Sequence, residues 1–294
     1  MRDSPVAQGG TIQGGGHSGG EVRNLIRKAV SRVTRRIARE VWRQEPPPAR
    51  SQYEALSLLA MRYGFHSLSA AELRVFSQNG EDGVLAEIFS KIGTTDRFFV
   101  EFGVQDGLEC NTRLLMEVLG WSGVYFEPDI DSFSRLSQRL QNRDDVLTLC
   151  EFVTPENVNT LFARAAVPAE FDLLSIDIDG QDYWVWEALV GFRPRVVVVE
   201  YNAALPVEPR VVEKKGAVQD RSTSFQFFGA SLGAMRALGR RKGYKLVHAE
   251  LAGVNLFFVR DDLAVPFETL LARGSNHYLK GYTHPKATGE TVEV

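Results

Sequence analysis

The chain has 294 residues, 44% of them apolar, and a formal charge of −3. That is enough apolar material for one large core or two small ones, and it excludes a wholly disordered protein. The near-neutral balance gives no support for nucleic-acid binding by the whole molecule, and Cys110 and Cys150 are too few for a disulfide framework or a Cys-rich zinc site. No run approaches the roughly 18 apolar residues of a membrane span, so the expectation is a cytoplasmic protein.

In chain order, the first 20 residues carry seven glycines among small polar neighbours, which predicts a flexible tail. From Val22 the pattern changes: Val22, Ile26, Val30, Val33, Ile37 and Val41 recur every three or four residues, as on one face of a helix. Eight cations against Glu40 alone give residues 22–44 a charge of +7. Such a basic amphipathic helix suits an anionic membrane surface or a protein partner, and packing on its own domain is the plainer alternative. Pro46 to Pro48 stop it and serve as a linker, closing a first region over residues 1–50.

A helical lead-in is expected over residues 51–94, with helices at Tyr53 to Tyr63, Ala70 to Phe76 and Glu81 to Ile92. Short apolar runs then alternate with helical stretches over residues 95–262. Strands are expected at Phe98 to Phe102, Gly123 to Glu127, Val146 to Cys150, Phe171 to Ile178 and Val196 to Glu200. Helices are expected between them at Asn111 to Leu119, Ser132 to Leu140, Pro155 to Ala165 and Tyr183 to Leu189. The four consecutive valines at Val196 to Val199 are apolar on both faces, as in a strand covered by helices on both sides, so this is a mostly parallel α/β sheet. A helix at Phe225 to Gly239 precedes two strands, Tyr244 to Leu251 and Val254 to Arg260, whose short Ala252-Gly253 connection permits only an antiparallel hairpin. Residues 263–294 form a C-terminal extension.

Ligands of an open parallel sheet sit beyond the carboxyl ends of the strands, where strand order reverses. The first strand ends in Glu101, Gly103 and Gly107, with Asn111 placed to cap the next helix, and the second ends in Glu127, positioned for the two hydroxyls of a ribose. A tight βα turn with no ligand is the lesser alternative for Gly103 and Gly107, given the companion Glu127.

The order FVEFGVQDG, GVYFEPD, LLSIDIDGQDYWVWEAL, VVVVEYN and a closing hairpin resembles the Rossmann-like S-adenosylmethionine-dependent methyltransferases, and within them the FkbM-type group of O-methyltransferases. The resemblance covers about Phe76 to Asp262, with Gln105 where the better-known pattern has its middle glycine. It implies a Rossmann-like enzyme fold with S-adenosylmethionine as cofactor. Glu101, Gly103 and Gly107 would line its methionine part, and Glu127 would hold its ribose. In SQNGEDG, Gln78 and Glu81 would close over it, although a loop followed by an acidic first helical turn also accounts for Glu81.

Residues two apart on a strand share a face, so Asp177 with Asp179, and Glu200 with Asn202, are expected to converge at two strand ends. No Lys or Arg stands in either strand end to neutralise them. One reading is a divalent cation, Mg, Ca or Mn, on Asp177, Glu200 and Asn202. It would lower the pKa of an acceptor hydroxyl. The other is a plain turn with nothing chelated, in which Asp177 or Asp179 is the general base. His248 and Cys110 are expected to be packed, and Tyr183, Trp184 and Trp186 to be core residues before they are a sugar platform. The insertion from Ala203 to Gln226 would choose the acceptor.

The leading expectation is therefore an S-adenosylmethionine-dependent O-methyltransferase for a small-molecule or glycan hydroxyl. The alternative is a non-catalytic domain of the same fold, joined to a membrane or complex through residues 22–44. A nicotinamide dehydrogenase is disfavoured by the lack of G-x-G-x-x-G.

Overall fold

The computed structural model describes residues 67–216, 229–267 and 291–294. The expected Gly-rich tail, basic helix, proline linker and Tyr53 to Tyr63 helix lie outside the described residues, as do residues 217–226 of the insertion, residues 225–228 of the helix expected from Phe225, and 268–290 of the extension. In chain order the elements are α1 (Ser67–Ala71), α2 (Glu81–Ile92), β1 (Phe98–Phe102), α3 (Arg113–Glu117), β2 (Ser122–Phe126), α4 (Ile130–Arg139), β3 (Val146–Leu149) and α5 (Val158–Arg164). There follow β4 (Glu170–Ile176), α6 (Asp182–Ala188), β5 (Arg193–Glu200), β6 (Val211–Glu213), α7 (Leu232–Arg241), β7 (Tyr244–Ala249), β8 (Asn255–Arg260) and β9 (Thr291–Glu293).

Seven strands form one sheet in the order β3-β2-β1-β4-β5-β8-β7. The first five are parallel, and β8 runs antiparallel to both β5 and β7. The expected mixed α/β sheet with a terminal hairpin is thus present. A separate pair, β6 with β9, is antiparallel.

The side-chain alternation of β5 explains its unbroken apolar run. Val197 and Val199 belong to an apolar cluster with Phe162 of α5, Trp186 of α6 and Met235 of α7, whereas Val196 and Val198 belong to another with Leu85 of α2 and Met116 of α3. Each valine fully removed from water contributes about 1.5–3 kcal/mol, so both faces of the strand help to hold the layers together. Strand order reverses between β1 and β4, and the crevice beyond their carboxyl ends is the place such a sheet offers a ligand.

Two helix expectations are corrected. The stretch from Ala70 to Phe76 is not a helix beyond Ala71. Oδ2 of Asp82 instead accepts the backbone N–H of Val75, Phe76 and Ser77 at 2.9, 2.7 and 2.7 Å, and the Ser77 hydroxyl at 2.8 Å. Amides gathered on one carboxylate are not available for helical bonding, so residues 72–80 form a strap. The strap packs tightly on α2: a Cβ on Gly83 would stand 2.0 Å from the Ala71 carbonyl oxygen. The helix expected from Phe225 begins at Leu232, where the Ser231 hydroxyl caps it by accepting the N–H of Ala234 at 3.2 Å.

Candidate active site

The loop after β1 is organised from inside by Glu101, which is 3% exposed. Its Oε1 accepts the N–H of Asn111 at 2.8 Å and the Ser175 hydroxyl at 3.3 Å, while Oε2 accepts the N–H and hydroxyl of Thr112 at 3.1 and 2.6 Å. Burial nonetheless pushes its carboxyl up to about 7. Glu101 therefore directs its acceptors to the start of α3 and to β4, and the geometry holds it against the loop's own backbone. The geometry corrects Asn111 as a cap: the N-cap is Thr112 without a side-chain bond, and the Asn111 amide donates to Ser175 at 3.0 Å.

Gly103 has φ +70°, and a Cβ there would lie 1.8 Å from the carbonyl oxygen of Asp177. A neighbouring backbone, not a ligand, makes this glycine necessary. Gly107 has φ +72° and would meet only the Leu136 side-chain tip, at 2.6 Å. Between them, Gln105 also takes a positive φ of 53°, and its N–H donates to Oε2 of Glu127 at 2.6 Å. Oε1 of Glu127 accepts the N–H of Asp129 at 2.8 Å, so this carboxylate joins the glycine loop to the turn after β2. Ile130 and Phe152 are exposed apolar residues on the segments leaving β2 and β3.

At the neighbouring strand ends, Asp177, Asp179 and Glu200 bring one carboxylate oxygen each within 4.8 Å of one another. Because β4 ends at Ile176, both aspartates stand in the following turn. Asp182 shapes that turn, accepting the N–H of Ile178 at 3.0 Å and of Gly180 at 2.9 Å, and Asp179 adopts φ +57°, a conformation aspartate tolerates better than most residues. Burial, then the charges of Asp179 and Asp182, push the Asp177 carboxyl well above the usual range. Glu200 is pushed up by burial and by Asp177, Asp182 and Asp179, and burial takes Asp182 to about 7. Three crowded oxygens of this kind favour a bound proton or a cation. The donors, oxygen only, fit a hard divalent ion. Asn202, expected as the third donor, is buried, and its Oδ1 accepts the N–H of Ala204 at 2.9 Å in the turn after β5.

A second polar group escapes sequence reasoning. Glu81 does not reach the glycine loop: its Oε1 accepts the Asn255 amide at 2.9 Å and its Oε2 the N–H of Asn79 at 2.7 Å. Glu72 of the strap pairs with Nε2 of His248 at 2.6 Å, both buried. Glu250 and Asn255, at the β7–β8 turn, complete the group. Hairpin-turn polarity reads as solvent exposure in a sequence, and the only available signal was the acidity of SQNGEDG. Gln78 sits half-buried on the strap. The strap in turn leans on the β1 loop through an Arg74–Glu109 ion pair at 3.0 Å and through Arg113, 4.2 Å from the Phe76 ring centre.

Tyr183 and Trp186 are buried core residues, as is Cys110. Trp184 is half-buried and donates its indole N–H to the Glu213 carbonyl at 2.7 Å. With the Gly216 N–H donating to Oε1 of Gln181 at 2.9 Å, this bond fastens the insertion after β5 to the turn carrying the aspartates. The pairing of β6 with β9 adds a further tie.

No protein-family model and no curated protein matches the chain. Among solved structures, the N-terminal domain of EvdMO1 with SAH bound is similar at 12% identity and a TM-score of 0.41, over 62% of this chain and 80% of that one. An S-adenosylmethionine-dependent methyltransferase from Clostridium acetobutylicum gives 8% identity and 0.37, over 60% and 89%. One from Aquifex aeolicus gives 10% and 0.33, over 71% and 96%. Likenesses this low carry no residue role and no activity over to this chain.

Proposed function

We propose that the chain is an S-adenosylmethionine-dependent O-methyltransferase of the FkbM type, acting on a hydroxyl of a small molecule or glycan. The observation that supports this best is the meeting, at the β1/β4 reversal, of a glycine-turned loop tied to Glu127 with the carboxylates Asp177, Asp179 and Glu200. Glu127 is the ribose contact, and Gln78, Gly103 and Gly107 belong to the same rim. Ile130 and Phe152 offer apolar faces for a purine.

When bound, the cofactor supplies a methyl group on a sulfonium, an electrophile that needs no covalent enzyme intermediate. Asp177 or Asp179 accepts the proton of the acceptor hydroxyl. Burial, with the charges of Asp179 and Asp182, raises the proton affinity of the Asp177 carboxylate above that of an exposed aspartate. Mg, Ca or Mn on Asp177, Asp179 and Glu200 would supply charge compensation and Lewis acidity at the acceptor oxygen. The insertion fastened by Trp184 and Gln181 faces the acceptor. The protein is cytoplasmic in this reading, with residues 22–44 as its contact to an anionic membrane or a partner. Among the described residues, no helix is long and apolar enough to cross a membrane.

Isothermal titration with S-adenosylhomocysteine tests the proposal. Micromolar binding is expected, with about a tenfold loss on Glu127→Ala. No binding with or without Mg would leave the non-catalytic alternative in possession.

A further inference from the structure

Beyond the carboxylate trio, and independent of the methyl-transfer reading, the geometry points to a second cation site where the start of α2 meets the β7–β8 turn. Its ligands are Glu81, Glu250 and Asn255, and it takes a hard divalent cation of calcium size.

The three side chains are almost fully buried, at 1%, 1% and 3% exposure. Oε1 of Glu250 is well supplied, accepting the N–H of Val254 at 3.1 Å, the N–H of Asn255 at 3.0 Å and the Asn79 amide at 3.4 Å. Its Oε2 has no hydrogen-bond partner. The Asn255 amide donates to Glu81 at 2.9 Å, which turns the side chain into the same cluster, and its Oδ1 has no partner either. The cluster thus holds two buried acceptors without a donor, one of them on the Glu250 carboxylate, which stands near that of Glu81.

The pairing register adds to this excess, since Asn255 stands directly opposite Glu200 across β5 and β8. Burial and the charges of Glu81 and Glu72 also push the Glu250 carboxyl upward. A proton passed from Glu250 to Glu81 would satisfy one orphan and leave Oδ1 of Asn255 as it is. A cation answers both. Every donor is oxygen, with no thiolate or imidazole, which selects hard ions over zinc or copper. Calcium accepts irregular oxygen shells, while magnesium keeps much of its water and suits a buried cluster poorly. The ion would cross-link the start of α2, into which the strap leads, to the β7–β8 edge of the sheet.

The test uses the full chain carrying Asp177→Asn and Asp179→Asn, stripped with chelator and titrated with calcium by calorimetry and thermal shift. One equivalent bound per chain is expected, with a raised melting temperature. Adding Glu250→Gln is expected to weaken calcium binding by about tenfold or more. It should leave the calcium-free melting temperature unchanged or higher, because the new amide can donate to the facing carboxylate. As a check that does not require the trio variant to fold, Glu250→Gln in the otherwise unaltered chain should bind one equivalent fewer than its parent. Absence of calcium binding in the trio variant, binding indifferent to Glu250→Gln, or a response to potassium but not to calcium would each overturn the assignment.

Discussion

Replacing Gly103 by alanine is the most direct probe of how the site is built. The new Cβ would lie 1.8 Å from the Asp177 carbonyl oxygen and 3.0 Å from its carbon, so the loop must retreat by about 1.5 Å to reach ordinary contact. Both atoms in the way are backbone, and no rotamer change relieves them. The φ of +70° adds about 1–2 kcal/mol for any residue with a Cβ, and displacing packed backbone adds about 1–3 kcal/mol. The expected loss is therefore about 2–5 kcal/mol, or about 4–20 °C in melting temperature for a domain of this size. Gly107→Ala is the control. Its φ is the same within two degrees, but the obstacle is the end of the Leu136 side chain, which can swing away, so about 1–2 kcal/mol is expected. Urea unfolding followed by tryptophan fluorescence measures both. A Gly103→Ala loss under about 1 kcal/mol, or equal losses at the two positions, would refute the claim that the Asp177 backbone dictates this glycine.

Three further outcomes are expected. Glu101 and Asp182 have folded-state pKa values raised to about 7, so each favours its protonated form in the native state. Their contribution to stability is full below the ordinary carboxylate range and is lost as pH rises through about 7. Unfolding free energy should fall by about 3 kcal/mol or more between pH 4.5 and 8, and a rise measured by urea titration would contradict the burial argument. Trp184→Phe removes the hydrogen bond to Glu213 at a cost of about 1 kcal/mol, and should speed proteolysis within residues 203–216 and raise the acceptor KM while S-adenosylhomocysteine affinity holds. Removing residues 1–45 should abolish salt-sensitive pelleting with anionic vesicles and leave S-adenosylhomocysteine affinity unchanged, since the charge of +7 resides there.

The strands were legible because covered parallel strands are written as continuous apolar runs, and Val196 to Val199 is the clearest case. Asp177, Asp179 and Glu200 do come together, but the aspartates do so in the turn after β4, so period-two spacing on a strand is not what gathers them. Spacing does not say which side of a turn a polar side chain faces, so the bonds of Glu101 to the start of α3 and of Asn202 to Ala204 were not legible. It also does not encode lateral strand order. Asn255 comes to lie beside Glu200 only because β8 enters between β5 and β7, and the buried group around Glu250 was illegible for that reason. The strap was missed because its apolar residues keep helical spacing while Asp82 captures their amides.

The interposed position of β8 also constrains how the sheet assembles. β7 is synthesised before β8 but ends up on the far side of it, and both follow β5 by more than forty residues. The parallel pairs β1–β2 and β4–β5 join residues 23 or 24 apart in sequence, whereas β5–β8 pairs are 55 to 63 apart, so these β-α-β units are expected to gain protection first. If β7 reaches the open edge of β5 early, it occupies the slot of β8 and must be released before the native order can form. Pulsed hydrogen exchange during refolding should show amides of the β1–β2 pair Val100 and Val124 becoming protected before those of the β5–β8 pair Val197 and Phe258. Simultaneous protection of all of them would exclude this order of events.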